Sequence, residues 1–475
     1  MIKPTTKTLA IVCNQWGDTG KGKFVDYFAA HWADFVVRGN GGANAGHTIV
    51  IDEQKHIFHM VPSGILHDDH GVVNVIGRGV AFDPITLVEE LKLLDQHSKS
   101  YGHLKISHRA KLVLPYHKLA DQAHNAAGKT FNIGTTGRGI GPCYTDYIAR
   151  RGLIVNDLLN PEIFRQKVSQ ALLAWQPLMN GVALPTVDEI AEQYLALGAK
   201  LASFITNTDA LIADVKGKKH ILLEGAQGLL LSVHHGSYPY VTSSDCSVAG
   251  LANGAGLTAG DVDETLCIVK AFYMTRVGEG PFPTELGGNA SADWCRTHTK
   301  DDEARDYSAA TVNDTDEFAQ GVAIRRAGGE YGATTGRPRR TGWLDLPVLR
   351  YAKQINGPEI ILTKIDVLSG CQKIKLATAY RYDGPDYRYG ETTIKKGDRL
   401  TTALPDSFIL DHCQPEYQEF DGWSEDISSI TTYDALPAAV REIINFIEKE
   451  TATQAVIISV GPEREQTIFR STTSQ

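Results

Sequence analysis

Short apolar runs, continuous rather than alternating, punctuate this chain. Leu9-Ala10-Ile11-Val12, Phe35-Val36-Val37, the run 72–76, Ile221-Leu222-Leu223, Ile360-Ile361-Leu362 and Val456-Ile457-Ile458 each end in a glycine-rich or polar loop. Runs of this kind predict strands covered on both faces, as in a parallel sheet. Between them the spacing turns helical. Behind the cap Asp83-Pro84, residues Leu87, Val88, Leu91 and Leu94 share one apolar face. The stretch 434–449 repeats the pattern with Val440, Ile443, Ile444 and Ile447, and 187–216 is alanine-rich with helical spacing. Strands alternating with helices predict an α/β fold: a large, mostly parallel central sheet with flanking helices and a P-loop-like phosphate loop. The ligand crevice of such a sheet lies at the carboxyl ends of its strands. Every loop named here sits at such an end, so the loops are expected to converge on one site.

No linker, repeat or low-complexity tract divides the 475 residues, which predicts one domain over 1–475. The stretch 287–331 is polar, rich in Asp and Arg and poor in aliphatics, and reads as a surface insertion. A net charge of −9 argues against a nucleic-acid surface. The seven scattered cysteines contain no C-x-x-C, the usage of a reducing compartment. Met1-Ile2-Lys3-Pro4 runs almost at once into a strand, and no apolar stretch approaches a membrane span. The expectation is a cytoplasmic enzyme with no membrane contact.

The chemistry begins in the first loop. Gly17-Asp18-Thr19-Gly20-Lys21-Gly22-Lys23 follows the opening strand, with glycines that let N–H groups face phosphate and lysines that supply charge. The spacing satisfies G-x-x-x-x-G-K, yet Phe24 stands where a P-loop places the hydroxyl that holds Mg²⁺. Asp18 puts a carboxylate inside the loop, which repels phosphate unless a metal or a proton transfer employs it. Gly41-Gly42-Ala43-Asn44-Ala45-Gly46-His47-Thr48 then offers an imidazole at a strand end. Gly134-Thr135-Thr136-Gly137-Arg138-Gly139-Ile140-Gly141-Pro142, followed by Arg150-Arg151, combines glycines, hydroxyls and arginines suited to phosphate. Gly332-Ala333-Thr334-Thr335-Gly336-Arg337-Pro338-Arg339-Arg340 repeats the Thr-Thr-Gly-Arg theme, an arginine cluster fit for an anionic ligand in an acidic protein. In Thr363-Lys364-Ile365-Asp366 the carboxylate can accept both N1–H and the 2-amino group of guanine, and Ser459-Val460-Gly461-Pro462 can close the same pocket. Taken singly, each of these is also readable as a turn or a solvated charge run.

As a series they are not. Gln15-Trp16-Gly17-Asp18, Asn44-Ala45-Gly46-His47-Thr48, Val61-Pro62-Ser63-Gly64-Ile65-Leu66, the segment 134–142, Glu224-Gly225-Ala226-Gln227-Gly228 and Tyr238-Pro239-Tyr240-Val241-Thr242-Ser243-Ser244 come in order. Thr275-Arg276-Val277-Gly278, Gly280-Pro281-Phe282-Pro283-Thr284-Glu285, the arginine loop, Lys364 with Asp366, and 459–462 follow. From Leu9 to Ile468 the chain resembles the adenylosuccinate synthetase family, GTP-dependent ligases that form a C–N bond between aspartate and inosine monophosphate (IMP) in the first committed step of AMP synthesis. The resemblance implies that Asp18, His47, Lys21 and Gln227 are catalytic, with Asp18 as base. GTP would be held by Gly17, Gly20, Lys21, Gly22, Lys23, Gly46, His47, Thr48, Arg339, Lys364, Asp366, Ser459 and Gly461. IMP would be held by Asp18, Asn44, Thr136, Arg150, Gln227, Thr242 and Arg337. L-Aspartate would be gripped by Ala333, Thr334, Thr335, Gly336, Arg337 and Arg339, and Mg²⁺ by Asp18 with the carbonyl of Gly46. Arg150 would reach a neighbouring site in a homodimer.

Two departures stand out. Thr19 occupies a position where the family usually has Glu, and 287–331 is longer than the family's usual link. An alternative is therefore a variant acting on (d)GMP to give a 2-amino-adenylosuccinate, although that branch replaces the catalytic Asp and Asp18 is present here. A non-catalytic GTP-binding paralogue would lack Asp18 or His47, and neither is missing.

Overall fold

Thr8–Cys13 is a central strand of a ten-stranded sheet, and all six of its residues are buried. The computed structural model describes residues 2–51, 54–126, 133–179, 181–332 and 336–470. In spatial order the sheet runs Thr467–Phe469, Gln454–Ser459, Glu359–Thr363, Glu264–Lys270, Thr8–Cys13, Ile221–Glu224, Phe35–Arg38, Val73–Ile76, Leu104–Ser107 and Ile205–Thr206. Every neighbouring pair is parallel except the first, where Thr467–Phe469 is antiparallel. The continuous apolar runs follow from burial on both faces. Ala10 and Val12 pack with Val37, Leu223 and Val269 on one side. Leu9 and Ile11 pack on the other with Val36, Leu222 and Phe24, Val25 and Phe28 of the helix Lys21–His31. Each of the larger side chains among them contributes about 1.5–3 kcal/mol of burial.

The helices depart from the sequence reading at their ends. Pro84–Gln96 begins where expected, because the Asp83 carboxylate accepts the N–H groups of Ile85 and Thr86. The helix expected over 434–449 is instead Ala438–Thr451, since Pro437 holds extended backbone as its cap. The single helical stretch expected over 187–216 is two helices, Val187–Leu201 and Thr208–Val215. The short strand Ile205–Thr206 and the capping side chain of Asn207 intervene.

The stretch 287–331 is more than a surface excursion. It forms the helices Gly288–Thr297, Lys300–Asp306 and Glu317–Gly328, and the last buries Val322, Ile324 and Arg325. Two of its charges are taken inside: Arg325 donates to Glu303 at 2.7 and 2.9 Å, with both side chains inaccessible. A polar stretch can still reach the interior where its buried charges are paired. A second, five-stranded mixed sheet was also unforeseen. Its strands Tyr273–Arg276, Arg340–Asp345, Lys373–Tyr382, Arg399–Leu400 and Cys413–Asp421 anchor the far end of the arginine loop.

Parallel pairing puts the strands' carboxyl ends on one edge, and two of the loops there interlock. A Cβ on Gly79 would lie 1.9 Å from the carbonyl oxygen of Gly39, and one on Gly254, in the helix Val248–Ala255, would lie 1.7 Å from the same atom. All seven cysteines are buried and none forms a disulfide. Among the described residues no helix is long and apolar enough to cross a membrane.

Candidate active site

The phosphate loop joins Thr8–Cys13 to Lys21–His31 through left-handed backbone at Gly17 (φ 83°), Asp18 (φ 52°) and Gly20 (φ 81°). Gly20 caps the helix without a side chain, so no capping group competes for its first N–H groups, an arrangement suited to an anion. Asp18 adopts this conformation without being glycine, a strain of about 1–3 kcal/mol. Its side chain is 43% exposed, and Oδ2 accepts from Arg339 Nε at 3.1 Å. Burial works to raise its pKa, but Arg339, Lys270 and Lys364 outweigh it and hold the carboxyl well below the usual carboxylate range.

The two lysines of the loop diverge. Lys21 Nζ donates to the Gln227 carbonyl at 2.7 Å. Lys23 turns toward the other end of the site, donating to Ser459 Oγ (2.7 Å) and to the carbonyls of Gly461 (2.8 Å) and Gln466 (3.0 Å). Burial lowers its pKa to about 8 against the pull of Asp366, Glu463 and Glu465. Thr19 is buried, its carbonyl accepts from Thr363 Oγ1 at 3.0 Å, and its own hydroxyl has no partner among the described residues.

His47 opens the strand His47–Ile51, buried behind exposed Gly46. Its Nδ1 meets Glu224 Oε1 and lies 3.1 Å from Ser63 Oγ. Glu224 also accepts the Ser63 N–H at 2.9 Å and the Ser63 hydroxyl. Burial works to raise the Glu224 pKa, but His47, Ser63 and Arg38 overcome it and bring it down to about 2. Burial lowers the pKa of His47, with Glu224 opposing. With Nδ1–H given to Glu224, Nε2 is the ring nitrogen outside these contacts.

Asn44 and Thr242 come together, Nδ2 to Oγ1 at 3.4 Å, and Asn44 Oδ1 is buried without a partner among the described residues. The Gln227 amide is likewise unsatisfied at both Oε1 and Nε2, beside Gly41, on left-handed backbone (φ 56°). Buried polar atoms left open in this way are where a ligand's groups are expected. Thr136 and Arg337 are exposed, and so is Arg150, with φ 62°. Of the loop assigned to aspartate, Gly336 and Arg337 are described, and Gly332 closes it by accepting the Gly336 N–H at 2.8 Å. Ala333, Thr334 and Thr335 lie outside the described residues. At the base end, Lys364 takes left-handed backbone (φ 59°) after Glu359–Thr363, while burial raises the pKa of the Asp366 carboxyl. Ser459 ends its own strand, and its hydroxyl donates to the Gly461 carbonyl at 3.0 Å.

Among the described residues no group of three or more His, Cys, Asp or Glu side chains could cage a metal. The exposed, ionised Asp18 carboxylate and the exposed carbonyl of Gly46 are hard oxygen donors. A donor set of one carboxylate and one carbonyl suits Mg²⁺, which keeps waters and shares substrate phosphates.

The family profile described as adenylosuccinate synthetase matches residues 10–468. The chain belongs to the adenylosuccinate synthetase family. Adenylosuccinate synthetase of Halothermothrix orenii is 42% identical over 97% of this chain and 98% of its own length, and that of Caldicellulosiruptor bescii is 42% identical over 97% and 99%. A fully ligated adenylosuccinate synthetase of Plasmodium falciparum has the same fold at a TM-score of 0.81 and 33% identity, covering 98% of this chain and 100% of that one. A cyanophage S-2L succinoaminodeoxyadenylate synthetase bound to dGMP and dATP superposes at a TM-score of 0.55 with 18% identity, a likeness of fold alone. Membership makes this protein a ligase of purine nucleotide synthesis. Sequence reasoning passed over Glu224 and Ser63 as site residues, although both lie in motifs quoted for the family. It also passed over the strand Glu264–Lys270, whose run Leu266-Cys267-Ile268-Val269 carried the same continuous apolar signal as the strands it found.

Proposed function

We propose that the protein catalyses GTP-dependent ligation of L-aspartate to IMP, giving adenylosuccinate, GDP and phosphate, and that the whole chain acts as one domain. The observation that carries this reading is Asp18: an ionised, partly exposed carboxylate inside a phosphate loop, in contact with Arg339 of the arginine loop. Asp18 takes the N1 proton of IMP, O6 then attacks the γ-phosphorus of GTP, and the bond to the β-phosphate oxygen breaks to release GDP. The aspartate amine next attacks C6 of 6-phosphoryl-IMP, and phosphate leaves. A carboxylate held so acidic is a weak base while Arg339 touches it. Arg339 moving toward GTP and the aspartate carboxylates would restore its basicity. Lys21 and His47 act on charge developing at the transferred phosphoryl group. Mg²⁺ bound by Asp18 and the Gly46 carbonyl would offset polyphosphate charge. Asn44 and Gln227 hold IMP through polar atoms that lack partners among the described residues, Thr242 beside Asn44 joins them, and Asp366, Ser459 and Gly461 read guanine. Arg150 completes the neighbouring site in a homodimer, and the cytoplasm supplies the reducing setting of seven free thiols.

Phosphate release from GTP with Mg²⁺, omitting IMP and aspartate in turn, tests the reading. Turnover is expected to vanish with either omission. Hydrolysis that needs neither substrate identifies a GTPase instead, and turnover with dGMP but not IMP identifies the 2-amino variant.

A further inference from the structure

Glu330 lies at the junction between the polar stretch and the arginine loop, outside every residue assigned above. Its carboxylate is 1% exposed and collects donors from three separate elements. Lys270 Nζ, at the end of Glu264–Lys270, donates to Oε2 at 2.5 Å. Lys364 Nζ, from the base-reading turn, and Tyr273 OH, from the second sheet, each donate to Oε1 at 2.7 Å. The lysines have further anchors, Lys270 to Thr275 Oγ1 at 2.6 Å and Lys364 to the Gly328 carbonyl at 2.8 Å. The backbone of Glu330 is tied as firmly. Its N–H donates to the Arg325 carbonyl at 2.8 Å, and its carbonyl accepts the N–H of Arg339 at 2.9 Å. One residue thus fixes the backbone of the arginine that touches Asp18 and the side chain of the lysine beside Asp366.

We propose that Glu330 is a positioning residue that locks the arginine loop to the base-reading turn, so that the grip on aspartate and the reading of guanine are set together. The proposal rests on the reading of the site as one for GTP, IMP and aspartate. Stability alone is a weak reason for such a cluster, because a buried carboxylate between two ammonium groups is usually no better than well-packed apolar side chains. A shared charge with fixed geometry does what apolar packing cannot: it gives two loops a single register. Both lysines also help to hold Asp18 ionised, so the same cluster sets the charge behind the reacting atoms.

Linkage makes the coupling measurable without a variant. ITP lacks the 2-amino group that Asp366 reads. With ITP replacing GTP in the wild-type enzyme, the KM for aspartate is expected to rise about fivefold. An unchanged aspartate KM overturns the proposal. In Glu330→Gln the amide NH₂ replaces one oxygen, so either Lys270 or the pair Lys364 and Tyr273 loses its acceptor and the shared anchor is broken. Its aspartate KM is expected to rise and its preference for GTP over ITP to fall together, each about tenfold, with kcat changing less. Glu330→Asp, too short to span both lysines, should show the same paired shift at smaller size. A lowered unfolding temperature with both values unchanged, or a shift in only one of them, overturns the proposal. If the wild-type enzyme turns over GTP without aspartate or IMP, it is the functional reading that fails.

Discussion

At the scale of single residues the site is a set of charges whose protonation is decided by neighbours. Asp18 and Glu224 are held as carboxylates, the second at about 2, so neither titrates near neutrality. Lys23 is different, because burial brings it to about 8. As pH rises through that value the ammonium becomes an amine with two donors in place of three. One of its bonds to Ser459, Gly461 or Gln466 is then lost. We predict that the KM for GTP rises about fivefold between neutral pH and pH 9.5, the effect of one hydrogen bond, while kcat holds. Initial-rate measurements across that range check it, and a flat KM would show that Lys23 does not support the base pocket. Unfolding does not mimic this loss. Between about 8 and the ordinary lysine pKa of 10.5 the unfolded chain binds more protons, so the Lys23 contribution to stability increases with pH. The residue types at this site were legible in the sequence; the destination of the Lys23 charge was not, since its partners stand 436 to 443 positions away.

At the scale of elements, strand ends and close backbone contacts gather the loops. The apolar runs predicted the strands well because burial on both faces leaves no polar alternation to misread. Helix ends were less legible, since Pro437 and Asn207 act through local backbone that an apolar stripe does not report. The glycines of the loops after Phe35–Arg38 and Val73–Ile76 have a specific task. Both pack against Gly254 of the helix Val248–Ala255, and Gly254→Ala would drive a methyl group into the Gly39 carbonyl, 1.7 Å away, pushing the helix off the loop that leads to Asn44. We predict a loss of about 3 kcal/mol in urea unfolding, typical of an overpacked contact, with IMP affinity reduced beyond that of a surface control. A variant with wild-type stability would show that the contact relaxes freely.

At the scale of the whole molecule, membership of the adenylosuccinate synthetase family accounts for the order of the loops around one sheet edge. Arg150 is exposed on left-handed backbone, two residues after Ile148, which is itself 74% exposed. If Arg150 serves a partner's site, Arg150→Leu and Asp18→Ala should each be inactive alone and active when mixed. A heterodimer then holds one intact site, and an equal mixture is expected to regain about a quarter of wild-type turnover. No recovery would place Arg150 in its own subunit's site, and an active Arg150→Leu would place it outside catalysis. The sequence by itself determined six strands of the large sheet, the loops at their ends and the residue types in those loops, because these depend on neighbours along the chain. Only the tertiary structure decided which charges face one another: Glu330 between Lys270 and Lys364, Glu224 behind His47, Arg325 on Glu303. Local patterns report burial and backbone conformation, whereas ion pairs between distant segments form only when the sheet order brings those segments side by side.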